Sequence, residues 1–171
     1  MHDQPKYEAL EASAFFADGG ASRPLVEGTV ARGTLDLDPH FSAGKVNGAL
    51  VDTFPFAIDR AWLERGRERY DIFCAPCHDR AGTGRGMIVQ RGYRQPTSFH
   101  VDRLRDAPVG HFVDVMTNGF GAMPDYREQV APADRWAIAA YIRALQLSQR
   151  PAAAQTAANP PRGANATEPR R

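Results

Sequence analysis

The sequence predicts an all-α domain that carries a long, irregular N-terminal arm. Apolar residues recur at every fourth position over residues 58–74, as they do along one face of a helix. Residues 108–118 and 132–148 also have helical patterns, and each stretch begins at a proline. Residues 1–57 sustain neither a helical nor a strand period. We therefore expect three to five helices in a domain over 58–148, preceded by the arm.

The first and last helices of this domain have clear boundaries. The first is predicted to begin after Asp59, whose side chain can cap it, and to end near Phe73. Gly66 lies on its apolar face, where glycine is costly unless another segment packs closely against it. The last helix is predicted from Pro132 to about Ser148. Its apolar face consists of Trp136, Ala137, Ala140, Tyr141, Ala144 and Leu145.

The two ends of the chain differ from this domain and from each other. Prolines and glycines punctuate the arm, residues 1–57, yet large apolar residues are scattered through it. Such an arm either covers its own domain or crosses onto partner subunits. Residues 149–171 contain mainly Ala, Pro, Asn and Arg. They cannot bury enough apolar surface to become ordered, so we predict a disordered C-terminal tail.

The central motif is Cys74-Ala75-Pro76-Cys77-His78, which has the C-x-x-C-H spacing of covalent haem c attachment. Two thiols on one turn can each add to one vinyl group of a porphyrin, and the adjacent histidine can reach the iron. A zinc site usually needs a second pair of cysteines, and the chain has only two. A redox dithiol needs a βαβ setting, whereas these flanks look helical. A chance loop with a structural histidine is the remaining alternative to one covalent haem c.

A second axial ligand is expected on the opposite side of the haem iron. The candidates are Met87, Met116, Met123, His100 and His111. Met123 is the preferred one, because it lies in a glycine-rich loop that Pro124 ends and holds extended. Met116 lies within a helical pattern and suits the core, and Met87 follows His78 by too few residues to cross the haem. Met123 could instead be a thioether that fills a gap in the core.

Other polar groups are candidates for contacts around the haem. Arg85, Arg91 and Arg94 could reach its carboxylates, although they could equally be ordinary surface arginines. Residues 95–99 are predicted to be extended, and a carbonyl group near Pro96 could accept a hydrogen bond from His78.

Composition and charge limit the possible partners. The 171 residues allow one domain with extensions, and the formal net charge is +1. Residues 1–57, 58–148 and 149–171 carry net charges of −4, +2 and +3, so no block is basic enough to indicate nucleic-acid binding. Residues 1–5 lack the features of a signal peptide. Because haem c is normally attached outside the cytoplasm, we expect that this sequence is a processed form or that its first residue was assigned too far along the chain.

Residues 58–148 resemble a class I cytochrome c. The resemblance depends on Gly66-x-x-x-Tyr70-x-x-x-Cys74-x-x-Cys77-His78, on a Met-Pro pair 45 residues after His78, and on the aromatic last helix. In that family the first and last helices cross where a glycine meets an aromatic residue, here Gly66 and Tyr141 or a neighbour. The resemblance implies Met/His ligation of the iron, which raises the reduction potential.

The arm resembles that of a narrower family. Residues 4–7, 15–19 and 23–33 are similar to the mono-haem cytochrome subunit of bacterial alternative complex III, a quinol:electron-acceptor oxidoreductase of the inner membrane. The resemblance implies transfer from a multi-haem subunit to a terminal oxidase or a cytochrome, on the periplasmic side. Many members are lipid-anchored through an N-terminal cysteine, which this sequence lacks.

Four functions remain open at this point. The leading one is a one-electron transfer subunit of a membrane-associated complex, which is not a catalyst by itself. A freely diffusing periplasmic cytochrome c would not need the apolar arm. A haem enzyme or gas sensor would require an open coordination position and Met123 left unused. The haem domain of a periplasmic dehydrogenase or nitrite reductase would require a catalytic partner.

Overall fold

The structure is a computed structural model that describes residues 4–24, 26–30, 32 and 38–149. It divides into two compact units, Met1–Leu37 and Asp38–Arg171. The elements of the second unit are α1 (Pro39–Ala43), β1 (Lys45–Val46), β2 (Ala49–Leu50), α2 (Arg60–Phe73), α3 (Ala75–His78), α4 (Met87–Gln90), α5 (Asp102–Arg105), α6 (Val109–Asn118) and α7 (Pro132–Ser148). The predicted all-α class is confirmed, with one short antiparallel hairpin, β1–β2, in addition.

Turns and short-range contacts organise the first unit. Ala12 and Gly20 form an isolated antiparallel bridge. The Arg23 guanidinium lies 4.0 Å from the centroid of the Phe16 ring and 2.7 Å from an Asp18 carboxylate oxygen. No helix occurs among the described residues of this unit. Leu25, Ala31 and residues 33–37 of the arm, and residues 150–171 of the predicted tail, lie outside the described residues.

The arm was expected to extend to residue 57, but the second unit begins at Asp38. Helix α1 packs against α6 and α7, and the Trp136 indole N–H donates to the Phe41 carbonyl at 2.6 Å. Four residues of this segment pack against the hydrophobic core, namely Phe41, Val51, Phe54 and Phe56. Elements of two to five residues are too short to show a period, so the sequence pattern did not separate them from the arm.

Helices α2 and α7 cross where the sequence predicts. Helix α2 ends at Phe73 and is capped by Asp59, whose carboxylate accepts a backbone hydrogen bond of 3.0 Å from the first turn. A Cβ atom at Gly66 would overlap the Ala137 carbonyl and would lie 3.1 Å from the Tyr141 Cβ. Glycine is therefore required for the two helix backbones to approach this closely.

Helix α7 is the centre of the second unit. It has the predicted bounds, and α1, α2 and α6 all pack on it. Its buried residues are Arg135, Trp136, Ala137, Ile138, Ala139, Ala140, Ile142 and Gln146. The burial is wider than the single apolar face that the pattern predicted, because three helices cover it. None of the helices in the described ranges has both the length and the hydropathy needed to cross a lipid bilayer.

Replacing Gly66 by alanine is expected to destabilise the second unit by roughly 2 kcal/mol, because the added methyl group overlaps the Ala137 carbonyl. This loss exceeds the ~1 kcal/mol that alanine gains over glycine in a helix interior. Chemical unfolding measures the change. Arg67→Ala, at an exposed position of the same helix, is the control and should change the stability by less than about 0.5 kcal/mol. Equal stability of the Gly66 and Arg67 variants would contradict the close crossing.

Candidate functional site

The C-x-x-C-H sequence lies at the junction of α2 and α3. Cys74 follows the last residue of α2 and immediately precedes α3. The amides of Cys77 and His78 both donate to the Cys74 carbonyl, at 3.1 and 2.8 Å. Pro76 lies in the first turn of α3, where its missing N–H costs nothing. Two thiols and one imidazole are therefore presented from a single helical turn.

These side chains line a cavity of about 310 Å³ in the second unit. Met123 lies on the wall of the same cavity, so the four predicted haem-binding residues share one site. Most of the remaining wall is aromatic or aliphatic and includes Phe73, Phe99, Leu104, Phe112, Ile138 and Ile142. Ligand sites are typically concave and mainly apolar, with a few placed polar groups. The lining suits a large apolar ligand.

His78 contributes a neutral imidazole to the cavity. Burial lowers its pKa to about 4, so at neutral pH the ring is in the form that binds metal ions. The ring stacks on Phe99 with centroids 4.5 Å apart and planes at 12°. Its Nδ1 is fully buried and has no hydrogen-bond partner among the described residues. The bond expected from His78 to a carbonyl near Pro96 is therefore not formed, and the Pro96 carbonyl packs against Gly84 instead.

The two thiols do not fit the rival chemistries. Burial raises the pKa of the Cys74 thiol to about 12, with the nearby Cys77 adding to the effect. Redox-active cysteines have lowered pKa values instead. Neither cysteine forms a disulfide. Within the part of the chain that the structure describes, no group of three or more His, Cys, Asp or Glu residues could hold a metal ion. A redox dithiol and a zinc site are both disfavoured.

The candidates for the second axial ligand differ in whether they line the cavity. Met123, Met116 and His111 line the cavity. Met87 is 58% exposed and does not line it. His100 lies outside the lining, and its Nε2 is 2.7 Å from the Ala81 carbonyl oxygen.

Met123 and Met116 occupy different environments. Met116 belongs to the buried core on α6, as predicted. Met123 is half-buried, and it exchanges two backbone hydrogen bonds of 3.0 Å with Phe120. Gly119 and Gly121, on either side of Phe120, have φ angles of +75° and +60°, which favour glycine. The glycines therefore allow the tight turn that carries the Met123 thioether.

The charged and titratable groups of the lining, apart from His78 and the cysteines, include Arg94, Arg103 and His111, and none of the described residues contributes a carboxylate to it. Burial lowers the pKa of His111, and the charge of Arg103 lowers it further. Such a wall fits an apolar ligand that carries carboxylates, as haem does. Of the arginines proposed from the sequence, Arg94 lines the cavity, whereas Arg85 does not. Arg91 is outside the lining as well.

Arg103, which lines the cavity, and Asp79, which directly follows His78, were not predicted from the sequence. The Asp79 carboxylate accepts hydrogen bonds from the Thr83 hydroxyl and from the amides of Ala81, Thr83 and Arg85. Burial alone would raise its pKa, but these hydrogen bonds lower it. Its carbonyl accepts a 2.7 Å hydrogen bond from the Tyr70 hydroxyl. The Asp-x-x-x-Thr spacing was the available signal for this loop, whereas Arg103 had no local signal.

Comparisons with known proteins give one family. Residues 61–142 match the family described as "Cytochrome C oxidase, cbb3-type, subunit III". No curated protein matches the chain. A solved structure of the Kuenenia stuttgartiensis reducing HAO-like protein complex contains a similar chain with 18% identity and a TM-score of 0.47. The alignment covers 63% of this chain and only 54% of that one.

Proposed function

We propose that residues 61–142, which match that cytochrome family, form a class I cytochrome c domain that binds one haem c covalently through Cys74 and Cys77. His78 and Met123 would bind its iron. The observation that carries the proposal is that all four side chains line one cavity. The neutral imidazole of His78 and the arginines that the described residues contribute to the lining, without a carboxylate among them, support it further.

The residues of this site have separate tasks. Each cysteine would hold the haem through a thioether, which forms without loss of atoms when an S–H adds across a vinyl C=C bond. Bound haem supplies one-electron chemistry between ferrous and ferric iron. Phe99 holds the His78 ring by stacking, and the apolar wall excludes water. Arg94 and Arg103, which line the cavity, would pair with the haem carboxylates.

The larger role that we propose is that of a one-electron transfer subunit in a membrane-associated, quinol-oxidising respiratory complex similar to alternative complex III. Such a subunit receives electrons from a multi-haem cytochrome and passes them to a terminal oxidase or a cytochrome, on the periplasmic side of the inner membrane. The exposed apolar residues of the first unit support docking to partner subunits. They include Tyr7, Leu10, Phe15, Val26 and Val30, of which Leu10 is 91% exposed.

Deleting residues 1–37 is expected to leave a folded, haem-loaded domain that no longer co-purifies with its membrane partners. The deletion removes the exposed apolar residues of the first unit and leaves the second unit complete. Solubilised membranes from cells that produce the full-length or truncated chain provide the test. Partner subunits are counted after affinity purification, and bound haem is measured by absorbance.

A longer deletion, residues 1–50, is the control for folding. It removes Phe41, whose ring packs on the core and whose carbonyl binds Trp136. Loss of one such core aromatic costs about 3–5 kcal/mol, so this variant should unfold at much lower denaturant concentration. Partner capture that survives deletion of 1–37 would refute docking through the first unit. A full-length chain recovered as a haem-loaded monomer would instead favour a freely diffusing carrier.

A further inference from the structure

Helix α7 carries a buried cation, Arg135, in its first turns. This side chain belongs to a residue that is only 4% exposed. An arginine guanidinium remains protonated in proteins. Across the described ranges, no carboxylate forms an ion pair with it. Burying a charge without a counter-charge costs several kcal/mol unless hydrogen bonds replace the lost water. The hydrogen bonds of the Arg135 guanidinium therefore indicate which segments its burial holds together.

Among the described residues, its hydrogen-bond acceptors are neutral oxygen atoms on α1, on α6 and in residues 119–131, which we call the Met123 loop. Nε donates to the Val130 carbonyl at 2.8 Å, and one Nη donates to the Arg127 carbonyl at 3.1 Å. The other Nη donates to the Thr117 hydroxyl at 2.8 Å and is 3.5 Å from the Ser42 carbonyl oxygen. One guanidinium thus joins the end of α6, the chain that follows Met123, and α1.

The loop between α6 and α7 has no helix of its own, so its path depends on such contacts. The Tyr126 amide donates to the Met116 carbonyl at 2.8 Å. The Arg127 side chain donates to the Asn118 side chain, also at 2.8 Å. These bonds attach the loop to α6, and those of Arg135 attach it to α7. The planar, forked guanidinium can satisfy several acceptors at once, which a lysine ammonium on a flexible stem cannot reproduce.

We propose that Arg135 is a positioning residue that holds the 119–131 loop in the conformation that keeps the Met123 thioether at the haem iron. The inference rests on the proposed function, in which Met123 is the sixth ligand. A methionine side chain is flexible and is a weak ligand to ferric iron. Its retention therefore depends on how firmly the backbone that carries it is held.

Arg135→Lys in the full-length, haem-loaded protein tests this inference, because it keeps the positive charge and removes the fork. The expected result is a weaker far-red band of sulfur-to-ferric-iron ligation. Carbon monoxide binding to the reduced protein should become about tenfold faster, since loss of one hydrogen bond to a charged group shifts a local equilibrium by roughly that factor.

Thr117→Val is a milder second variant, nearly isosteric, that removes one hydrogen-bond acceptor of Arg135. It should change both readouts in the same direction and decides the question if the lysine variant loads no haem.

Arg105→Lys is the matched control. Arg105 also donates to backbone carbonyls, those of His100, Gln146 and Gln149, but none of them belongs to the Met123 loop. This variant should lose comparable stability and keep the band. The inference is overturned if Thr117→Val and a haem-loaded Arg135→Lys protein both keep the wild-type band intensity and the wild-type rate of carbon monoxide binding. It is also overturned if Arg105→Lys loses the band to the same extent as Arg135→Lys. If Met123→Ala keeps the band, it is instead the ligand assignment of the proposed function that fails.

Discussion

Met123→Ala is expected to remove the far-red band of the oxidised protein, to lower its reduction potential, and to allow carbon monoxide to bind the reduced iron. A thioether ligand stabilises ferrous over ferric iron, so its loss favours the oxidised state. It also occupies the coordination position that small gases would otherwise reach. Absorbance of the oxidised protein, a redox titration and mixing with carbon monoxide measure the three effects.

Met116→Leu is the matched control for this prediction. Met116 lines the same cavity but is buried in the core on α6. The substitution roughly conserves volume and should cost less than about 1.5 kcal/mol, with the spectrum unchanged. If Met116→Leu removes the band and Met123→Ala keeps it, the ligand assignment is wrong although the haem assignment survives. If the wild-type protein itself lacks the band, His111, which also lines the cavity, or an open position must be considered.

Cys74→Ser combined with Cys77→Ser is expected to abolish covalent haem attachment and most of the folding. Serine keeps the size of cysteine but forms no thioether with a vinyl group. Without haem, the apolar side chains around the cavity of about 310 Å³ lose the ligand that they would pack against. Because the whole stability of a typical domain is only about 5–15 kcal/mol, this loss should remove most of the folding. Haem-linked peroxidase activity on a denaturing gel and far-UV circular dichroism provide the two measurements.

The single variant Cys77→Ser is the control for the double one. It leaves the Cys74 thiol, so one thioether should still hold haem through denaturation, and helix content should remain high. Haem that stays with the doubly substituted chain on a denaturing gel would refute attachment through these cysteines. A double variant that lacks haem but stays fully helical would show that the apolar wall closes without its ligand.

Much of the domain follows from local sequence. Helices α2, α6 and α7 lie where their apolar repeats and capping residues predict, because periodicity and caps are properties of neighbouring residues. The need for glycine at residue 66 was also predictable from its place on an apolar helix face. The C-x-x-C-H motif indicated haem c because its spacing brings three ligand groups onto one turn. The assignment of the four site residues stays a prediction that the experiments above test.

Other features depend on contacts between distant segments. Residues 38–57 belong to the second unit because Phe41, Phe54 and Phe56 pack against its hydrophobic core, and no local pattern encodes those contacts.

By itself, therefore, the sequence determined the helices, the need for a close contact at Gly66 and the candidate haem-binding motif, since each depends on spacing within a few turns of chain. Only the tertiary structure decided that Ala137 of α7 supplies that contact, that Met87 is exposed and outside the cavity lining, that Arg103 belongs to the lining, and that Arg135 joins α1, α6 and the Met123 loop. Those outcomes depend on which segments pack together. The free energy of burial and of long-range hydrogen bonds selects that packing, and no short window of sequence contains it.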